Sequence, residues 1–79
     1  MTSYLATVTV VGDLPAAEVA GMSDALGAVG HEILPGRAVL QVPGEAPDLA
    51  TATAAAHQHA AEVLDGYTVE VDVEETYGP

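Results

Sequence analysis

Cysteine is absent from this chain, and so are Phe, Trp, Lys and Asn. Without thiols there is neither a disulfide staple nor a thiolate metal site, and nothing calls for an oxidising compartment. Without Phe or Trp, the core has to be assembled from Val, Leu and Ala, with two Met and three Tyr as its larger pieces. No apolar run approaches the roughly 20 residues of a membrane-spanning helix. No charged n-region precedes an apolar h-region in the manner of a secretory signal. The expectation is therefore a soluble, cytoplasmic protein. Its 79 residues fit a single domain, 1–79, and a chain of this size buries only about 60–65% of its unfolded surface. With so small a core, a homo-oligomer is also expected.

Positive charge is nearly missing. Arg37 stands alone against twelve Asp plus Glu, for a net charge of −11. An Ala- and Val-rich chain from a GC-rich genome loses Lys, but Arg codons are themselves GC-rich, so base composition does not account for the near-loss of Arg. Such a surface repels nucleic acid and anionic membranes and steers toward basic partners. Direct nucleic-acid binding and membrane binding are the functions it excludes most firmly.

What is present reads as six alternating elements. Tyr4 to Val11 is β-branched and reads as a strand. Asp13 is a candidate cap for a helix from Pro15 to Val29, with Pro15 in the first turn and Glu18 at the positive end of the dipole. Val19, Met22, Leu26 and Val29 form its apolar stripe, and Gly30 is the expected stop. Two strands, His31 to Leu34 and Arg37 to Val42, flank Pro35-Gly36. That pair signals a type II turn, whose twist splays a tight hairpin, so a longer loop is expected. The segment Pro43-Gly44-Glu45-Ala46-Pro47 reads as a loop. An Ala-rich helix follows, with Asp48 in its first turn, an end near Leu64, and a buried side of Leu49, Ala52, Ala56, Ala60 and Val63. From Tyr67 to Glu74 the sequence alternates strictly, as in a strand with one face buried. The last few residues are expected to be loose.

The order β-α-β-β-α-β is that of the α+β ferredoxin-like sandwich: an antiparallel four-stranded sheet with two helices on one face. In that arrangement the helices cover Ala6, Val8, Val10, Leu40, Val69 and Val71. The open face carries Leu5, Thr7, Thr9, Val11, Val39 and Gln41, together with Glu70, Asp72 and Glu74. Folds of this kind often pair through such a face.

Glu70, Asp72 and Glu74 project from one side of a strand about 6.6–6.8 Å apart. The spacing is close to that of successive phosphates on a nucleic-acid strand. A solvated, edge-blunting face explains the row locally, but a merely soluble surface mixes both signs, which keeps a partner-binding role in view. Arg37 is either a specificity contact or the ion-pair partner of Glu32 or Asp72. The candidate partner-binding set is Glu70, Asp72, Glu74, Arg37 and Val39.

No metal site is expected. His57 and His59 are two residues apart, about 200° around a helix, and diverge; His31 lies in another element. No cofactor is expected either. Ser3 and Ser23, the only serines, lie outside any Gly-rich elbow, and the segments around Gly12 and Pro43-Gly44 match no phosphate loop. The small residues on the buried side of the second helix fit close helix–sheet approach, or a shallow groove for a partner.

The run Val11-Gly12-Asp13-Leu14-Pro15, then a helix, then Gly30-His31-Glu32-Ile33, resembles the first strand-loop-helix of ACT-type regulatory domains. Those domains have the same element order and bind amino acids at a subunit interface. The resemblance covers less than half of the chain, Ala16 stands where a glycine usually follows the proline, and no site residue is carried over from it.

The function expected from these features is a non-enzymatic protein-interaction module that uses an open acidic sheet face to bind a basic partner and also self-associates. One alternative is a nucleic-acid mimic that inhibits a DNA- or RNA-binding protein. The other is an ACT-like, small-ligand-binding or catalytic dimer using His31 or His57 beside a pocket between sheet and helices.

Overall fold

A computed structural model describes residues 2–76. The elements are β1 (Thr2–Val11), α1 (Ala16–Leu26), β2 (Gly30–Leu34), β3 (Arg37–Ala46), α2 (Leu49–Val63) and β4 (Thr68–Glu75). All neighbouring strands are antiparallel, in the order β2-β3-β1-β4. This is the ferredoxin-like α+β arrangement that the element order predicts. β1 lies inside the sheet and β4 at one edge.

Period-two alternation decides which side chains go inward. Tyr4, Ala6, Val8 and Val10 of β1 and Ala38 and Leu40 of β3 are buried, and Val69, Val71 and Val73 of β4 are half-buried on the same side. Met22 and Leu26 from α1, with Ala60 and Leu64 from the α2 region, close over Val8, Val10 and Leu40 to make the main core. A smaller cluster joins Tyr4, Ala46 and Ala52 beneath the start of α2. Of the larger residues expected inside, Tyr4 and Met22 are buried, but Tyr67 is 38% exposed. Its hydroxyl instead donates to the Glu18 carboxylate.

Several boundaries differ from expectation for local physical reasons. α1 ends at Gly27, not Gly30. Gly27 adopts φ +70°, and the Gly27 and Ala28 N–H groups bond back to Asp24 and Ser23 carbonyls, a left-handed termination that glycine favours. Val29 is thereby released from the helix stripe; it is 73% exposed, and its N–H donates to the Gln41 carbonyl at 2.8 Å. Pro15, not Asp13, occupies the N-cap of α1, with no side-chain cap. Asp13 instead accepts from the Gly36 N–H at 3.1 Å, while the Gly36 carbonyl accepts from the Gly12 N–H at 2.8 Å. These bonds explain the hairpin. Leu34 pairs directly with Arg37, so the connection is Pro35-Gly36 alone, with Gly36 at φ +76°. The poor twist match of a type II connection is offset by this clamp from the β1–α1 loop.

β3 does not stop at Val42. It runs to Ala46 and stays paired with β1 through Pro43↔Leu5 and Ala46↔Thr2. Proline is tolerated there because the β2 ladder ends at Gly30↔Gln41. Gln41 turns its carbonyl to the β2 side, so Pro43, two residues on, turns its N–H-lacking nitrogen to that same unpaired side. In α2, Asp48 is the N-cap and accepts from the Thr51 N–H at 2.8 Å. Leu49, expected inside, is 50% exposed, whereas Leu64, just past the helix, is 2% exposed and among the largest fully buried side chains. At the far end, β4 continues to Glu75, and the Thr76 N–H donates to the Ser3 carbonyl. The rest of the chain end expected to be loose, residues 77–79, lies outside the described residues.

Candidate functional site

The registers align the open face into rows. Leu34, Arg37, Val11 and Thr68 form one row; Glu32, Val39, Thr9 and Glu70 form the next. Gly30, Gln41, Thr7 and Asp72 follow, then Pro43, Leu5 and Glu74. The β1 column of Leu5, Thr7 and Thr9 is half-buried by its neighbours, while Glu70, Asp72 and Glu74 are all exposed. The expected surface therefore exists as a graded patch, apolar and threonine-rich along β1 and acidic along β4.

The five candidate residues do not form one tight group. Val39 shares a row with Glu70, two strands apart, and Arg37 lies one row further, at the hairpin. From the row of Arg37 to that of Asp72 is four residues, about 13 Å along the strands and two strands across. The Arg37–Asp72 ion pair is thus excluded by the register. Glu32 lies diagonal to Arg37 across β2 and β3.

The three histidines occupy three separate places. His31 lies on the β2 edge strand and is exposed. His57 and His59 diverge on α2, as their spacing requires, and each lines a different groove. Among the described residues, no three His, Asp or Glu side chains converge where they could hold a metal ion.

Both grooves run along the flanks of α2. The inner one, about 210 Å³, has a floor of Tyr4, Ala6 and Val42 and a wall of Ala52, Ala56 and His59. It arises because α1 is only eleven residues long and β3 continues beyond its reach, so that end of the sheet is covered by α2 alone, mostly through alanines. The sequence signal for it was the alanine run; the length of β3, misread at Pro43, concealed it. The outer groove, about 290 Å³, lies between α2 and β4, with His57, Ala61 and Leu64 above Val69 and Val71.

Among the described residues, two ionisable groups are held away from their ordinary behaviour, both by hydrogen bonds. Capping of the Thr51 backbone and hydroxyl keeps the Asp48 carboxyl below its usual value. Donation to Glu18 raises the Tyr67 hydroxyl above its usual value. Neither group is on the open face. No described helix is long and apolar enough to cross a membrane.

Comparison with protein-family models, with curated proteins and with solved structures yields no match. The fold and the surface chemistry carry the functional reading.

Proposed function

We propose that this protein is a small non-enzymatic interaction module whose working surface is the β4 half of the open sheet face and whose partner is a basic protein. One observation supports the reading above others. Glu70, Asp72 and Glu74 stand exposed in a single row beside the half-buried Leu5, Thr7 and Thr9, and the chain's one Lys or Arg, Arg37, lies on the same face two strands away, at the hairpin. Surfaces that serve solubility intersperse both signs. A patch with an apolar centre and charge along its border has the make-up of a recognition surface, and a border of one sign selects an opposite partner and speeds its approach.

The same charges oppose a second copy at this face. Face-to-face pairing about an axis across the strands would stack the β4 row of one chain over that of the other and crowd three carboxylates against three, with one arginine per chain to balance them. Self-association, expected from the small core, is disfavoured in that one arrangement. A narrower version of the reading, in which the row occupies the nucleic-acid groove of its partner, rests on the carboxylate spacing of about 6.6–6.8 Å.

The test compares the wild-type protein, immobilised, with Glu70→Lys/Asp72→Lys/Glu74→Lys in cell lysate. Wild type should retain a basic protein at low salt and release it near about 0.5 M salt, where charges are screened within a few ångströms. The reversed variant, folded by circular dichroism, should retain none of it. Equal capture by both would refute the proposal. Competition by duplex DNA for the retained protein separates the decoy version from the general one.

A further inference from the structure

The sheet leaves three stretches of backbone edge, and their chemistry differs. On β2 the two-residue hairpin turns Gly30, Glu32 and Leu34 toward β3, so only His31 and Ile33 face outward. The tail of β3 beyond Gln41 is blunted by Pro43. β4 is different. The Thr76 N–H bonds to Ser3, so by alternation Thr68, Glu70, Asp72 and Glu74 direct their backbone groups to β1. Val69, Val71, Val73 and Glu75 direct theirs away from the sheet. That edge has eight residues, and it contains no proline and no glycine.

A second feature coincides with it. The outer groove follows the same edge on the helix side, floored by Val69 and Val71 and walled by His57, Ala61 and Leu64. Side chains alternating from a fifth strand would fall into this groove on one side and beside Glu70, Asp72 and Glu74 on the other, with directly opposed Cβ atoms about 4.5–5.5 Å apart.

The geometry points to β4 as the docking edge for an extended segment of the partner, added antiparallel as a fifth strand, with Lys or Arg at alternate positions and small apolar residues between them. This rests on the acidic half of the sheet being the working surface, and it specifies how that surface binds. Charge complementarity selects the occupant. A second copy adding through its own β4 would oppose acidic rows at the closest spacing a sheet allows, where like charges destabilise. A nucleic-acid strand is repelled by the net charge of −11. Strand addition supplies affinity through the backbone and specificity through alternate side chains.

The experiment uses the full chain and three capped peptides. One alternates lysine and valine; one has the same composition with its valines in a block; one is the alternating peptide N-methylated at its valines, which face the edge. At low salt the alternating peptide should bind at least about tenfold more tightly than either of the others. Hydrogen exchange at the Val69, Val71 and Val73 amides should slow on its addition, with no change at buried β1 amides. If the alternating and blocked peptides bind equally and those amides exchange as before, edge docking is wrong and only charge attraction remains. If none of the three binds at low salt, the acidic surface itself is wrong.

Discussion

Asp72 stands between Glu70 and Glu74, so neutralising it removes both nearest-neighbour repulsions of the row with one nearly isosteric change, Asp72→Asn. At about 6.7 Å each repulsion amounts to about 0.6 kcal/mol in bulk water. Near 0.01 M ionic strength screening trims the pair to about 1.0 kcal/mol, near 0.15 M to about 0.5, and at 1 M to about 0.1. An unfolding entropy of about 2.1 cal/mol/K per residue over 79 residues converts these to rises in Tm of about 6, 3 and under 1 °C. Thermal unfolding followed by circular dichroism at the three salt concentrations measures them. The reasoning is refuted if Asp72→Asn lowers the Tm at low salt, or if the shift does not shrink as salt rises. The sign matters for function. A row that opposes folding is not explained by the fold, which leaves its charges open to the proposed role in partner binding.

Leu64→Ala should destabilise by about 2–5 kcal/mol in urea unfolding, whereas Leu49→Ala should stay within about 0.5 kcal/mol, since only Leu64 is buried. Asp13→Ala should lower stability by about 0.5–1 kcal/mol and speed exchange of the Gly36 amide, whose acceptor it removes. Because the Asp48 carboxyl is held low by its cap, its contribution is full above the unfolded value near pH 3.9 and fades as pH falls through the folded one. Asp48→Asn keeps a capping side chain without that titration, so wild type should lose stability relative to the variant across the acid range. The Tyr67 hydroxyl is raised by Glu18, so its contribution holds below about pH 10 and is lost as pH climbs beyond it. Tyr67→Phe should abolish that alkaline loss, measured as Tm against pH.

Much of the architecture was legible because it is written in alternation. Val69, Val71 and Val73 against Glu70, Asp72 and Glu74 settle both a strand and its two faces, and Val19, Met22 and Leu26 settle the inner side of α1. Two of the misreadings share one cause: a residue with a strong local meaning was answered by a distant partner. Asp13 has the chemistry of a helix cap, but a turn 23 residues away takes its carboxylate. Pro43-Gly44 has the composition of a loop, but β1 holds it in register. Gly30 is the expected end of α1, but Gly27 ends it earlier through local bonds to Asp24 and Ser23, and the Val29 N–H then meets Gln41.

The candidate site divides the same way. Which face carries the carboxylates follows from parity and needs no tertiary knowledge. Which strand edges are free does not, because an edge is defined by the absence of a neighbour, and neighbours here come from crossovers that insert β1 between β3 and β4. Had β4 closed beside β2, the same alternating residues would have bordered Glu32 and Leu34 instead of Leu5 and Thr7, and β1 in place of β2 would have formed the opposite edge. The β-α-β crossovers, each covering one half of the same sheet face, make the observed order the one in which both helices share a core with the two inner strands, β1 and β3. The long unpaired edge is thus a consequence of core packing, while the charges beside it are not required by that packing. Those charges are where the proposed partner's chemistry would be read.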